Sequence, residues 1–362
     1  MSNNKESLLH ISSAPHIRSN STIPSIMWTV VLALMPAAAM SVCVFGFHAF
    51  LVMASSIIAA VVAEAVMQVS LKRPVTVQDG SAVITGLLVA MNVPPGAPVW
   101  MVVIGSVFAI VIVKQLFGGL GFNIFNPALA ARSFLMASWP VQMTTTWHRF
   151  SEKNLLVSDI NNRVGLPSEV FDAITQATPL TVLKEGPKIL SKYNLGIENF
   201  QDLIFTPEML KSLFVGNVGG CIGETSAFFL LLGGLFLMYR RIITWHIPVS
   251  FIGTMFGLTY LYTSFTTCCP PHVASLLHIL AGGVFLGAFF MATDMVTSPV
   301  SPMGMIIFGA GCGLITFVIR FWGGYPEGVS YSILLMNAFV PLIDRFIKPR
   351  VFGTKNAATE SR

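Results

Sequence analysis

Ten apolar blocks divide this chain, most of them close to the length of a membrane-crossing helix. They lie near 26–46, 49–69, 81–93, 98–116 and 123–139, then near 222–239, 243–264, 273–293, 303–321 and 328–347. A helix needs about 20 such residues to cross the hydrocarbon core. Inside that core every backbone N–H and C=O must find its partner within the protein, which helices achieve locally. The expected fold class is an all-α integral membrane protein with about ten transmembrane helices. Charged residues make up only 10% of the 362, against roughly 25% in soluble domains, and this excludes a normal soluble surface. The net charge of +5 follows from basic residues flanking the spans, so no nucleic-acid partner is expected. No cleavable signal peptide is expected either, because residues 1–25 are polar and the first apolar block leads into further ones.

The blocks fall into two sets of five. The third is too short to cross alone and ends in "NVPPGAP", and its counterpart in the second set ends in "DMVTSPVSP". Proline and glycine breaks at matching places indicate interrupted helices lining an internal site. Both sets continue into a basic residue and a double glycine, "KQLFGG" at 114–119 and "IRFWGG" at 319–324. Five spans per set is an odd number, so the two repeats must be inverted with respect to each other. With both termini in the cytoplasm, Lys72, Arg73, Arg240, Arg241, Arg345 and Lys348 fall on the inner side of the inner (cytoplasmic) membrane. Lys5, Arg18, Lys114 and Arg350 fall there too, and among the short outer loops only Arg320 is out of place. The expected organisation is a cytoplasmic segment 1–25, a first repeat 26–139, an extracytoplasmic loop 140–221, a second repeat 222–347 and a cytoplasmic tail 348–362.

That loop carries helix signals. Ser168 precedes "EVFDAI" as a cap, with Glu169 and Asp172 in the first turn, and Val170, Phe171 and Ile174 form a face to pack down on the bundle. Thr206, Pro207 and Glu208 mark a second start. The first helix carries Asp172, Thr175, Ala177 and Thr178 before Pro179 stops it. Proline pushes Thr178 toward an extended backbone, so its hydroxyl is expected at an exposed helix end. On spacing alone this is a capped terminus and nothing more.

The pattern D-x-x-T-x-A-T at 172–178 also resembles the flavinylation motif of the Rnf and Nqr respiratory complexes. The stretches "DGSAVITGLLVAMNVPPGAP" at 79–98, "GGLGFNIFNPALAARSFLMASWPVQM" at 118–143 and "GGCIGETSAFFLLLGG" at 219–234 resemble the D-type Rnf subunit, and the related B-type Nqr subunit over the same regions. A short N-terminal segment, and proline rather than a second threonine after the motif, favour the Rnf family. The resemblance implies FMN joined to Thr178 through a phosphoester by a flavin transferase that reads Asp172, Thr175 and Ala177. Gln176 stands where a small residue is common, which leaves the acceptor intact. It further implies a second, noncovalent flavin (riboflavin) in the membrane part, which no motif locates. Implied partners are the A-, B-, C-, E- and G-type Rnf subunits, in a complex coupling ferredoxin–NAD electron transfer to Na+ or H+ movement. The chain would complete no reaction alone.

Other candidates carry bland readings beside sharp ones. Glu224, Thr225 and Ser226 in "IGETSAF" are a seat for the FMN phosphate or ring, or simply a helix cap beside close glycine packing. Asn123 and Asn126 in "NIFNPALAAR" line the interior or cap a helix, and one NPA triplet without a second copy argues against a paired-NPA water channel. Glu64 and Asp294 are ionisable residues within spans, candidates for ion movement. Lys114, Arg132 and Asp344 lie nearer span ends, where snorkelling or internal pairing suffices. The cysteines Cys43, Cys221, Cys268, Cys269 and Cys312 show no C-x-x-C spacing and read as packing residues. The rival class is an inverted-repeat transporter or channel, which has no need of a D-x-x-T-x-A-T element outside the membrane. A scaffold carrying an unused motif is the third.

Overall fold

The structure, a computed structural model, describes residues 21–145, 178–181, 183–184, 207–216, 219–266, 270–325 and 327–348. Asp172, Thr175 and Ala177, with the helix expected from Ser168, lie outside the described residues, as do Cys268 and Cys269.

Helices account for all the regular structure among the described residues. They are α1 (Ile23–Phe45), α2 (Phe47–Ser70), α3 (Ser81–Met91) and α4 (Val99–Phe108, continuing as a π-helical stretch Ala109–Gln115). Next come α5 (Pro127–Ser138), α6 (Pro140–Thr145), α7 (Pro207–Val215), α8 (Ala227–Tyr239) and α9 (His246–Thr266). The last are α10 (Pro271–Leu280), α11 (Val284–Leu286 with a π-helical Gly287–Met291), α12 (Pro302–Trp322) and α13 (Val329–Phe346). Each of the ten expected apolar blocks is helical. Among the described residues, only α1, α2, α12 and α13 are by themselves long and apolar enough to cross a membrane, and the pair α10–α11, bent by 63°, makes a fifth if it is one span. Of the other blocks, α3, α5 and α8 are short, and the third block of the second half is cut in two. The chain is a multi-pass helical membrane protein.

Local sequence sets the helix starts. Asn126 accepts from the N–H groups of Ala128 and Leu129 at 3.0 and 3.4 Å, with Pro127 at the first helical position. Ser301 does the same for α12, accepting from Gly304 N–H at 3.1 Å ahead of Pro302. These caps satisfy amides that lack an intrahelical partner. Helix pairs close tightly where a side chain is missing: a Cβ on Gly86 of α3 would lie 2.8 Å from Ile57 Cα of α2. Small residues give membrane helices this approach, and with it dispersion contact where no hydrophobic drive exists.

The two broken elements start alike. Gly80, at φ +81, opens α3, and Gly283, at φ +66, opens α11, both in the left-handed region that favours glycine. Their far ends meet, with Asn92 Nδ2 3.7 Å from Met291 Sδ. A buried cation serves each glycine start. Lys114 Nζ donates to Ser81 Oγ at 2.6 Å at the start of α3. Arg320 donates to the carbonyls of Ala281 and Gly282, both at 3.1 Å, and to that of His278, at the start of α11. The two half-helices therefore share a glycine start and meet at their far ends.

Candidate functional site

Thr178 begins a helical turn. Its Oγ1 accepts from Thr181 N–H at 3.3 Å and lies 2.9 Å from Thr181 Oγ1, with helical backbone at 179–181 and 183–184. A threonine oxygen on the third amide, followed by proline at the first helical position, is an N-cap. Its side chain is only 4% exposed. Both facts correct the expectation of an exposed helix end. The extended backbone that proline imposes on Thr178 is also the backbone of an N-cap, so the dipeptide alone does not tell on which side the helix lies.

Two contacts press this turn onto the bundle. Leu180 is buried against Gly282, where an added Cβ would lie 2.2 Å from Leu180 Cδ1 and where φ is +72. Lys184 Nζ donates to the carbonyls of Gly323 and Tyr325, just past the end of α12. A lysine on carbonyls left open by a helix terminus is favoured by charge as well as hydrogen bonding. In Lys184→Met protein the amides of 180–184 should exchange with deuterium about tenfold faster or more, since charged hydrogen bonds contribute about 1.5–3 kcal/mol. Hydrogen-exchange mass spectrometry checks this, and unchanged protection would show that Leu180 packing alone holds the turn.

Behind the turn lies a cavity of about 400 Å³ whose wall includes Thr178, Thr181, Asn92 and Arg132. Such a volume falls in the range of small-molecule and cofactor sites, ~300–1,000 Å³. Its polar floor is a chain of contacts. The guanidinium of Arg132, on α5, pairs with the Glu327 carboxylate and donates to Asn92 Oδ1 at 3.0 Å. Tyr325 and Tyr331 add stacked rings, their centroids 5.5 Å apart and 25° from parallel. Ser133 Oγ, also on the wall, is buried with no hydrogen-bond partner. A buried hydroxyl without a partner is costly.

Glu224 lines a small recess together with Thr178, Gly282 and Glu327. The Cys221 thiol and the carboxylates of Glu224 and Glu327 offer ligand atoms within 4.8 Å of one another. The Arg132 guanidinium already pairs with Glu327 there. Thr225 and Ser226 are used structurally. Thr225 Oγ1 donates to Ile222 O at 2.5 Å and lies 2.9 Å from Ser41 Oγ, while Ser226 caps α8 through Phe229 N–H at 3.4 Å. Neither lines the large cavity, and capping accounts for both. Asn126 is likewise a helix cap, with its Nδ2 donating to Met291 O at 3.2 Å.

The two ion-pathway candidates part company. Asp294 sits just past α11 on the wall of a second, smaller cavity of about 120 Å³, with Ser81, Lys114 and Asn123. Its carboxylate accepts from Val296 N–H at 3.4 Å and Thr297 Oγ1 at 3.2 Å. Glu64 is 1% exposed and lies 2.7 Å from Lys114 Nζ, outside that cavity wall. Cys43, Cys221 and Cys312 are free thiols, the last two buried.

In the sequence Arg132 reads as a span-end residue, and Asn92, Glu327 and the two tyrosines do not stand out. An arginine inside an apolar block was the available signal. Glu327, in "GGYPEGVS", reads as an ordinary turn.

Fold and cavity together define a multi-pass helical membrane protein with a polar chamber whose wall includes Thr178 and Thr181. The family model described as "NQR2, RnfD, RnfE family" matches residues 10–353. The D-type subunit of the proton-translocating ferredoxin:NAD(+) oxidoreductase complex of Clostridium ljungdahlii is 47% identical over 354 residues, covering 97% of this chain and 98% of that one. The D-type subunit of the Na(+)-translocating ferredoxin:NAD(+) oxidoreductase complex of Acetobacterium woodii is 47% identical over 356 residues, 98% of each chain. The D-type subunit of the ion-translocating oxidoreductase complex of Halorhodospira halophila is 39% identical over 349 residues, 94% of each. This chain belongs to the NQR2, RnfD, RnfE family.

Proposed function

We propose that this chain is the D-type subunit of an Rnf-type, ion-translocating ferredoxin:NAD oxidoreductase, and that it carries FMN as a phosphoester on Thr178. The first half of this reading rests on kinship across nearly the whole chain. The second rests on one observation: the threonine that the motif singles out is part of the wall of a cavity of cofactor size. Its partners are the A-, B-, C-, E- and G-type subunits, a flavin transferase for maturation, and the lipid bilayer. The loop from 140 to 221 faces outward and both termini face the cytoplasm. The same reading includes a noncovalent riboflavin in the membrane part.

The residues present fit an FMN. Thr178 would hold its phosphate end, the Tyr325–Tyr331 pair offers a flat wall, and Arg132 and Asn92 supply polar groups for ring edges. A bound flavin supplies one- and two-electron transfer between carriers. This chain's own residues do the rest: the 178–184 turn covers the chamber, the Leu180–Gly282 contact seals its rim, and Arg132 holds Glu327 in place.

Asp294 is the carboxylate we retain for ion movement, because it borders a cavity, whereas Glu64 is committed to Lys114. The two relatives at 47% identity are named for different ions, protons in one and sodium in the other, so overall similarity does not choose the ion. The test of the flavin assignment is co-expression with a flavin transferase, then a denaturing gel imaged under ultraviolet light. A fluorescent band at this chain's mass is expected. A dark band, with the transferase proven active on another target, would favour the transporter or scaffold reading.

A further inference from the structure

We infer that the Arg132–Glu327 pair sets the reduction potential of a flavin held at Thr178, a role that rests on the flavin reading above. Arg132, Glu327 and Thr178 are all part of the wall of the same chamber, and Glu327 also shares the small recess with Thr178. Arg132 is 8% exposed and is fixed from two sides, by Glu327 and by Asn92 Oδ1 at 3.0 Å. Charges so placed are weakly screened and act strongly on any charge that develops beside them.

A flavin develops such a charge. Two electrons and one proton convert oxidised FMN into its anionic reduced form, with the negative charge on the N1–C2=O edge. In the cell the electrons come from a reduced iron–sulfur protein of the ferredoxin class, and in the test they come from dithionite. A cation in the wall stabilises the reduced anion and raises the potential. A carboxylate in the same wall does the reverse. The ion pair therefore holds the potential between the two extremes, and Asn92 fixes the guanidinium so that the balance does not drift. A pair with a merely structural role would change stability when broken but would not shift the potential with the sign of the charge removed.

The sign is the test. Full-length protein is co-expressed with a flavin transferase, covalent flavin is verified by in-gel fluorescence, and the midpoint potential is measured by dithionite titration with mediator dyes. Arg132→Gln should lower the potential, Glu327→Gln should raise it, and Arg132→Lys should stay close to the parent. Shifts in the same direction for the two neutral variants, or no shift in either, would overturn the inference while leaving the covalent flavin in place. If Arg132→Gln fails to accumulate, Glu327→Gln decides: a raised potential supports the role, and an unchanged or lowered one overturns it. A parent protein without covalent flavin would overturn the flavin reading itself, and that result is visible on the gel before any titration.

Discussion

On the proposed flavin assignment, Thr178→Val protein co-expressed with a flavin transferase should lose the covalent flavin entirely, and its band on a denaturing gel should be dark under ultraviolet light. Valine matches threonine in shape but has no oxygen to esterify, so the effect is all or none. The fold should survive. The substitution removes one N-cap, for which the usual cost is about 1 kcal/mol, from a turn also held by Leu180 at Gly282 and by Lys184 on the end of α12. The variant should therefore elute in size-exclusion chromatography with the parent. A variant band as bright as the parent's would place the flavin elsewhere. Burial adds a condition on how the parent is made. Thr178 is 4% exposed, so attachment of a flavin there would require this turn to lift, or to be modified before it docks.

Lys114→Met gives the largest expected loss of stability. Lys114 and Glu64 are 2% and 1% exposed and 2.7 Å apart. Lys114 also donates to Ser81 Oγ at 2.6 Å, while the same Glu64 oxygen accepts from Gln115 Nε2 at 2.8 Å. Its other oxygen has no partner. Removing the ammonium strands a buried carboxylate, a loss typically of about 3–5 kcal/mol. Thermal unfolding in detergent should fall by roughly 5 °C. The double variant Lys114→Met, Glu64→Leu should recover most of this, because replacing both members of a buried pair by apolar residues is often neutral. A single variant as stable as the parent would mean that water reaches the pair.

Much of the architecture is legible in the sequence because hydrocarbon is an exacting solvent. Block length and the alternation of apolar runs with basic turns locate the apolar helices among the described residues, and the "NVPPGAP" and "DMVTSPVSP" stretches mark the ends of the interrupted elements. The internal break of α10–α11 is less visible. Ala281, Gly282 and Gly283 lie inside an apolar run, and only the contact with Arg320 shows why the helix must stop there. Hydropathy counts residues, and a break buried in protein costs it nothing.

The site is legible only in part. A motif points to Thr178, but proline after threonine is compatible with a helix on either side, so orientation and burial do not follow from it. Arg132 and Glu327 are 195 positions apart, and no local pattern joins them. Their pairing follows from α5 and the start of α13 meeting across the repeat interface, which is a property of the packed bundle. Glu64 stands out in the sequence as costly, yet its cost is met by Lys114, which there reads as a span-end lysine.

The flavin assignment is tested most directly by tandem mass spectrometry of the parent protein after co-expression with a flavin transferase and proteolysis. A single modified peptide is expected, heavier by one FMN less one water, with fragment ions that place the mass on Thr178. Fragment ions placing it on Thr175 or Thr181, or an unmodified peptide from a fluorescent protein, would contradict the assignment.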